Sequence, residues 1–536
     1  MQRPLLVIVA LLIVTVLGVA AATGSGWMGT ASPAASGVVS VAPPSEGATA
    51  LFPVVVLQGD EYTMGRQYGQ QVPLMIETTA RASRAALLGR YTAGNLSRAL
   101  QALETRIRGD LPERDLVGLM HGVADGARAK GANVSYEDVL LVNCYAVFWG
   151  PRLPVEESGG CSSVVAFGNA TADGETIVGS TLDLSPDLTN METVIVLAYP
   201  ASGHAFLSIG AAGRITTNFA MNDAGLVQVV NKAPPIGRDT ESAIGVPINV
   251  LMPYLMMRFA NAEDALGYAE RTRRPIGVNQ IFADANGTAA VLESTASLSA
   301  VRRPGDHGEG DYLIVTNHFL QPAMRPAQNP WDPLAFYPSS YYRYLTAERS
   351  VREANGTLDA AGMMALLAST RFWNGTAWSG EARWTGNTIN RFAISGTTLD
   401  AKVAVPANRT VFICAGNPGA PEWSALAPGR TGEFVRFRLA DSAVNSTIAL
   451  RTGASGALQA TAAEIGELRD RWHALEANER LDRAKAAYWD GEKALTDARM
   501  AVDGDERSRQ FGLAATAYAE ATALAQQLGR ALAATA

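Results

Sequence analysis

A glycine–cysteine pair is the place where this chain could carry out covalent chemistry. Cys161 follows Ser158-Gly159-Gly160 and opens a β-branched run, Ser162-Ser163-Val164-Val165. Attack of the thiol on the Gly160 carbonyl would give a thioester that water can hydrolyse, and glycine can adopt the strained backbone that this attack requires. The cut would make Cys161 a new N-terminus, whose α-amine has an unperturbed pKa of about 7.7 to 8.0 and can serve as the base. The pair indicates a self-cleaving nucleophile, although taken alone it also fits an inert cysteine at the start of a strand.

The other cysteines carry no comparable signal. The chain has three, Cys144, Cys161 and Cys414, which are too few for a disulfide framework and lack the close spacing of a zinc site. Cys144 and Cys414 lie inside apolar runs, as buried inert thiols do. We therefore expect no metal, no cofactor and one thiol kept free for chemistry.

The charge pattern excludes a nucleic-acid binder. The 536 residues carry a formal net charge of −7, without a block of lysine or arginine that could follow a phosphate backbone. A hydrophobic content of 48% allows one large core plus an appendage.

The N-terminal segment predicts export. Residues 1–22 include an uncharged apolar run that fits either a signal peptide or a membrane anchor, and residues 23–50, rich in Gly, Ala, Ser and Pro, are predicted to be a flexible tether. Glycosylation triplets, meaningful only on an exported surface, support this weakly. They begin at Asn95, Asn133, Asn169, Asn286, Asn355, Asn374, Asn408 and Asn445. We expect a secreted, cell-surface or membrane-anchored protein.

The elements around Cys161 change character at that residue. Residues 51–160 show helical patterns over roughly 61–88, 96–108, 113–130 and 136–148, the last capped by Ser135 with Asp138 in a capping box. Residues 161–456 alternate short β-branched runs with two helical stretches near 246–271 and 341–367. This pattern predicts a layered α+β body.

The C-terminal segment, residues 457–536, is predicted to be a helical hairpin. Ile465, Leu468, Trp472 and Leu475 repeat at helical spacing, and Asp503-Gly504-Asp505 breaks the pattern before a second stripe from Phe511 to Leu528. Such stripes favour packing or oligomerisation.

Several segments, in a fixed order, resemble one known family. They are Gly59, Gly65 and Gly69, then Gly122–Gly126, Ser135–Leu140, Gly160–Ser163, Asp173–Asp183, Met221–Leu226, Gly245–Pro247, Ala283–Gly287, Glu293 and Thr316–His318. Together they are similar to the isopenicillin-N acyltransferase-like family of autoproteolytic cysteine N-terminal-nucleophile hydrolases, over about residues 52–438.

The resemblance implies a four-layer αββα body with Cys161 as nucleophile and cleavage between Gly160 and Cys161. Asp183 matches the family aspartate that orients the α-ammonium, and Asn317 matches the asparagine that donates to the oxyanion. Asn222, Asn231 and His318 are candidates for substrate binding. Turn formation explains Asn222 equally well, and a structural role suits His318.

One departure from the family concerns the residues before the aspartate. Bile-salt hydrolase and ceramidase relatives resemble Gly-Arg-Asn-x-Asp, whereas this chain has Gly179-Ser180-Thr181-Leu182-Asp183. The arginine that the acyltransferase carries late in its chain has no assigned match here, and Arg436 and Arg438 are options for it. The leading interpretation is a self-processing amidase or acyltransferase that acts on a small-molecule amide of an acylated amine through a cysteine thioester. The alternatives are a phospholipase-B-like or ceramidase-like lipid amidase and a non-catalytic exported binding or structural protein on the same fold.

Overall fold

Two β-sheets stacked face to face form the centre of the protein. The computed structural model describes residues 51–88, 91–148, 160–184, 192–235, 245–328, 337–393, 396–419, 431–468 and 471–534. Residues 1–22 and 23–50, with the signal or anchor and the tether expected there, lie outside the described residues, and export stays a prediction. Among the described helices, none combines the length and apolar character that a membrane span requires.

The first sheet has eight strands within this part of the chain and mixes one parallel pair with antiparallel pairs. In spatial order its strands are β1 (Val54–Gly59), β4 (Thr193–Pro200), β5 (Phe206–Ala211), β6 (Phe219–Asn222), β7 (Val227–Lys232), β8 (Val278–Ala283), β9 (Ala289–Ser294) and β10 (Ser299–Arg302). Only β1 and β4 pair in parallel among the described strands of this sheet.

The second sheet carries the glycine–cysteine pair. In spatial order its strands are β11 (Tyr312–Val315), β2 (Gly160–Ala166), β3 (Ile177–Leu184), β13 (Gly396–Val405), β14 (Thr410–Ala415) and β15 (Phe434–Arg438), with β12 (Phe392–Ala393) paired to β13. β2 is therefore an interior strand, held by hydrogen bonds on both sides. Such a strand fixes its residues more firmly than a loop would.

Helices cover the outer faces of both sheets. In chain order the first seven are α1 (Glu61–Gln71), α2 (Pro73–Leu88), α3 (Ala93–Asp110), α4 (Leu116–Ala129), α5 (Tyr136–Cys144), α6 (Ile248–Arg258) and α7 (Ala262–Arg271). They pack on the first sheet, and α8 (Pro338–Glu353) and α9 (Ala360–Leu367) pack on the second.

The layers follow from the alternation of side chains along the strands. On β2 and β3, Val165 and Val178 pack between the sheets against Ile195 of β4, whereas Val164 and Ile177 face the second helical layer. The architecture is the four-layer αββα body predicted from the sequence, so that prediction is confirmed.

The capping predicted at Ser135 and Asp138 is also confirmed. Ser135 caps α5, and Asp138 completes the capping box.

The glycines of α1 and α4 allow the two backbones to touch. A Cβ on Gly65 would lie 2.0 Å from the Leu119 carbonyl oxygen, and one on Gly126 would lie 2.0 Å from the Arg66 carbonyl oxygen. Only glycine fits such a contact.

The C-terminal region differs from the prediction. It holds three helices, α10 (Ala443–Gly466), α11 (Arg471–Met500) and α12 (Gly504–Ala533), and the boundary predicted after Gly456 falls inside α10. The predicted break does occur at Asp503, which caps α12. Glycines lower helix propensity by about 1 kcal/mol each, and the packing of α10 outweighs that cost.

Nor is this region a separate hairpin. Phe511, Ala514 and Tyr518 of α12 are buried in the same cluster as Val54 of β1 and Phe437 of β15. The Val54 N–H also donates to Thr516 Oγ1 at 2.9 Å. Since β1 and β15 are end strands of the two sheets, the C-terminal helices cover sheet edges that would otherwise be open to pairing.

Candidate active site

β2 places Cys161 at the mouth of the space between the sheets. Gly160 pairs with Asp183 of β3, and Cys161 pairs with Leu182. Because side chains alternate along a strand, the Cys161 thiol shares the inner face with Val165, whereas Asp183 belongs to the opposite face from Leu182. Cys161 is only 5% exposed and lines an open cavity, in which the centre of a water molecule can occupy about 160 Å³.

Asn317 holds the backbone amide of Cys161. It follows the end of β11, and its Oδ1 accepts a hydrogen bond from Cys161 N–H at 3.1 Å. The same oxygen accepts from Arg343 Nη2 at 2.8 Å, while Asn317 Nδ2 donates to the Lys232 carbonyl at 2.7 Å. These partners fix the orientation of the amide. One Nδ2 hydrogen is engaged by Lys232, which leaves the second for a group in the cavity that Asn317 lines.

Arg343 is a site residue that sequence reasoning missed. It is 1% exposed on α8, and its Nη1 donates to the Cys161 carbonyl and, at 3.1 Å, to Ser162 Oγ. One guanidinium thus bridges Cys161 and Asn317. A signal existed in the sequence, because Arg343 lies in line with the buried Ala347 and Val351 on one helix face.

Asp183 is paired with a second arginine that sequence reasoning missed. Thr398 Oγ1 donates to Asp183 Oδ1 at 2.9 Å, and Arg391 Nη1 lies 3.5 Å from Asp183 Oδ2. Both charged side chains are at most 1% exposed. The pKa of Asp183 is raised, chiefly by burial, while Arg391 and Arg343 oppose the rise. Nothing in the local sequence distinguishes Arg391, which lies just before β12.

Gly160 is enclosed by the polar groups of the site. A Cβ on this residue would meet Arg391 Nη1 at 2.9 Å, Arg343 Nη2 at 3.1 Å and Asn317 Oδ1 at 3.1 Å. A larger residue would displace at least one of these groups. Glycine at position 160 is therefore favoured by the crowding of the site as well as by its backbone freedom.

The thiol is protonated at neutral pH in the intact chain. The pKa of Cys161 is raised to about 11, chiefly by burial and also by the negative charge of Asp183, while Lys402 and Arg343 lower it. A base is therefore needed to generate the thiolate. Cys144 and Cys414 are buried as expected, and burial raises the pKa of both thiols.

The three residues considered for substrate binding lie outside the cavity lining. Asn222 ties the β6–β7 turn to α6: its Oδ1 accepts from Leu226 N–H at 2.9 Å and its Nδ2 donates to the Met256 carbonyl at 2.9 Å. Asn231 bridges the sheets, accepting from Ser163 Oγ at 2.9 Å and donating to the Val315 carbonyl at 2.9 Å. Both side chains have structural roles here.

His318 also has a structural environment. Its Nδ1 lies 2.8 Å from Ser340 Oγ, and burial, together with Arg343 and Arg302, lowers its pKa to about 3. The ring is thus neutral at physiological pH. The other predicted option, Arg436 and Arg438, lies exposed on β15, four strands away from β2 in the sheet. Arg343 and Arg391 supply the buried cations instead.

Comparison with known families finds a match over part of this chain. Residues 170–418 match the family described as Acyl-coenzyme A:6-aminopenicillanic acid acyl-transferase. This match confirms the resemblance predicted from the sequence. The matched range includes Asp183 and Asn317 and begins after Cys161.

A curated relative is similar to less than half of this chain. Over 270 residues the chain is 26% identical to an uncharacterized protein from Archaeoglobus fulgidus, an alignment that covers 45% of this chain and 44% of the relative. The chain therefore spans less than half the length of that curated relative.

Several solved structures align with about half of this chain. The Caenorhabditis elegans N-acylethanolamine-hydrolyzing acid amidase ortholog is 16% identical, with 46% of this chain and 93% of that chain covered and a TM-score of 0.32. Penicillin V acylase from Agrobacterium tumefaciens is 13% identical, with 48% and 83% covered and a TM-score of 0.30. A mutant conjugated bile acid hydrolase from Clostridium perfringens is 12% identical, with 52% and 98% covered and a TM-score of 0.31.

Proposed function

We propose that this protein is a self-processing cysteine amidase or acyltransferase that uses Cys161 to form a thioester with an apolar acyl group. One observation carries the proposal. The Cys161 thiol opens into a cavity walled mainly by apolar side chains, while its backbone N–H is bound to Asn317 and its carbonyl to Arg343. This arrangement suits a nucleophile whose own amino group takes part in catalysis.

Self-processing would begin with the thiol of Cys161 and the carbonyl carbon of Gly160. A carbon–sulfur bond forms, the carbon–nitrogen bond breaks, and the thiol proton ends on the Cys161 nitrogen. Water then cleaves the thioester, which leaves a Gly160 carboxylate and restores the thiol. Arg343 and Arg391, which lie against Gly160, are placed to stabilise the new carboxylate.

Turnover would then use the freed α-amine as the base. In the structure Asn317 Oδ1 accepts from Cys161 N–H, so the same oxygen can hold the amine and direct its lone pair toward the thiol. The second Nδ2 hydrogen of Asn317 is available to the oxyanion that forms on the substrate carbonyl. Asp183 favours the protonated amine through its charge. No imidazole is required, in agreement with the neutral buried ring of His318.

The walls of the cavity favour an apolar acyl group in the substrate. The apolar side chains that line it come from both sheets and from α6, and they suit an apolar acyl chain or ring. They include Leu182, Leu184, Ile209, Val230, Ile248, Ile276, Val278 and Leu399. The same lining favours the second candidate, a phospholipase-B-like or ceramidase-like lipid amidase, when the acyl chain is long.

Acyl-enzyme trapping tests this function. Processed protein is incubated with N-acyl amides of increasing acyl length, free carboxylic acid is measured, and the quenched protein is digested for mass spectrometry. We expect a Cys161-dependent release of acid and an acyl mass on the peptide that begins with Cys161. Cys414→Ala is the matched control, because it removes another buried thiol but keeps both signals. Hydrolysis that survives in Cys161→Ala would contradict the proposal.

A further inference from the structure

Beside the cavity lies a buried polar cluster that the proposed mechanism does not use. It consists of Asn218, Asp400 and Lys402, which are at most 3% exposed. Lys402 Nζ forms an ion pair with Asp400 Oδ1 and donates to Asn218 Oδ1 at 3.2 Å. One ammonium group therefore joins an amide and a carboxylate at one place between the sheets.

Each of the two side chains joined by Lys402 has one atom without a partner. Asn218 Nδ2, a donor, and Asp400 Oδ2, an acceptor, are buried and make no hydrogen bond within the described residues. Both residues line the cavity. Lys402 binds the Oδ1 atom of each side chain, so the unpartnered donor and acceptor belong to two side chains that meet at one ammonium group. Leaving such groups unpaired destabilises the folded protein, so their presence points to a ligand that pairs them.

Strand register fixes the distance of this cluster from the nucleophile. Cys161 pairs with Leu182, and Leu182 pairs with Asp400, so the three residues form one row across β2, β3 and β13. Partners in such a row point to the same face, and neighbouring strands are about 4.8 Å apart. The cluster therefore lies roughly 10 Å from Cys161 along the cavity floor.

The charges of the cluster select the chemistry of the ligand group. Asp400 and Lys402 compensate each other, so a net charge on the ligand would gain little. A carboxylate would be opposed by Asp400, and an ammonium group by Lys402 and the Asn218 donor. A hydroxyl group is neutral and can both accept from Asn218 Nδ2 and donate to Asp400 Oδ2.

We propose that Asn218 and Asp400, held by Lys402, form a specificity site for a hydroxyl group on the acyl portion of the substrate, roughly 10 Å from the scissile carbonyl. The inference rests on the proposed amidase function and deepens it. The apolar walls contact the hydrocarbon part of the acyl group. The cluster favours substrates whose hydroxyl group lies at this distance from the scissile carbonyl. A plain acyl chain would cover the two polar atoms without pairing them.

A hydroxyl scan of wild-type protein tests the site. Matched N-acyl amides that differ only in the position of one hydroxyl group on the acyl chain are compared with the unsubstituted chain. We expect kcat/KM to rise by about 10- to 100-fold at an interior position and not beside the carbonyl. Asn218→Leu should abolish this preference. Val278→Ala, which alters an apolar wall of the same cavity, should leave the ratio between the two substrates unchanged.

The outcomes separate this inference from the function on which it rests. Cys161-dependent hydrolysis with no preference for any hydroxyl position would overturn the specificity site while the amidase function stands. A preference that survives in Asn218→Leu, or one for a hydroxyl group on the amine side, would also overturn it. Absence of Cys161-dependent hydrolysis would overturn both. If Asn218→Leu does not fold, the scan of wild-type protein still decides.

Discussion

Replacing Asp183 with Asn would remove a buried negative charge from beside a buried arginine. Asp183 Oδ2 and Arg391 Nη1 are 3.5 Å apart, and neither side chain is more than 1% exposed. At an effective dielectric constant of about 20, two unit charges at this distance attract each other by about 5 kcal/mol. Breaking a buried pair by removing one partner typically destabilises a protein by about 3–5 kcal/mol. We expect Asp183→Asn to lower the free energy of unfolding by about that amount. This is a large share of the total, which is about 5–15 kcal/mol for a whole protein.

The assay is a double-mutant cycle in a chain that cannot process. Each variant carries Cys161→Ala, so that all forms remain one chain, and urea unfolding gives the free energy of unfolding. Asp183→Asn and Arg391→Met are measured singly and together. We expect the double variant to be more stable than the sum of the single losses predicts, because it removes both charges of the pair together.

The same substitutions in the chain with an intact Cys161 separate charge from structure. If the Asp183 carboxylate acts on the Cys161 amine, both Asp183→Asn and the double variant should remain uncleaved on a denaturing gel. Efficient cleavage in the double variant would show that Asp183 serves only to balance Arg391. A loss of stability below about 1 kcal/mol for Asp183→Asn would refute the reasoning about the buried pair.

Three further predictions concern the oxyanion, the pH response and the C-terminal helices. In processed protein, Asn317→Ala should lower turnover by about 10²- to 10³-fold, measured by steady-state kinetics, and near-normal turnover would assign the oxyanion elsewhere. Burial lowers the pKa of His318 to about 3, so the ring stays neutral in the folded protein. In the unfolded chain the same ring binds a proton below about pH 6.5. Its contribution to the free energy of unfolding should therefore fall by about 1.4 kcal/mol per pH unit as the pH drops below 6.5, and His318→Gln should flatten that part of the urea-midpoint profile. Phe511→Ala should lower the free energy of unfolding by about 3–5 kcal/mol, and the exposed control Leu513→Ala should lower it by less than about 0.5 kcal/mol. Equal small losses in both variants would show that α12 does not pack in the core.

Local sequence signals predicted the parts of the protein that local chemistry determines. The capping box of α5 and the order of helices and strands follow from residue type and spacing. The glycine before Cys161 was also informative, because a backbone cut and a crowded site both favour it. These features need no knowledge of distant parts of the chain.

Long-range packing decides what the sequence could not show. Arg343 and Arg391 lie against Gly160 although both are distant from it in the sequence. Asp400 lines the cavity because the register of three strands places it in the same row as Cys161. The boundary after Gly456 failed for a related reason. A glycine-containing stretch was predicted to be a linker, but α10 continues through it because neighbouring helices pack against it.

The mass and the N-terminal sequence of the purified protein test the central claim most directly. Wild-type protein should separate under denaturing conditions into two fragments, one ending at Gly160 and the other beginning with Cys161, whereas Cys161→Ala should remain a single chain. The α-amine can serve as the base only after that bond is broken. Wild-type protein that hydrolyses N-acyl amides while the bond between Gly160 and Cys161 stays intact would contradict the account.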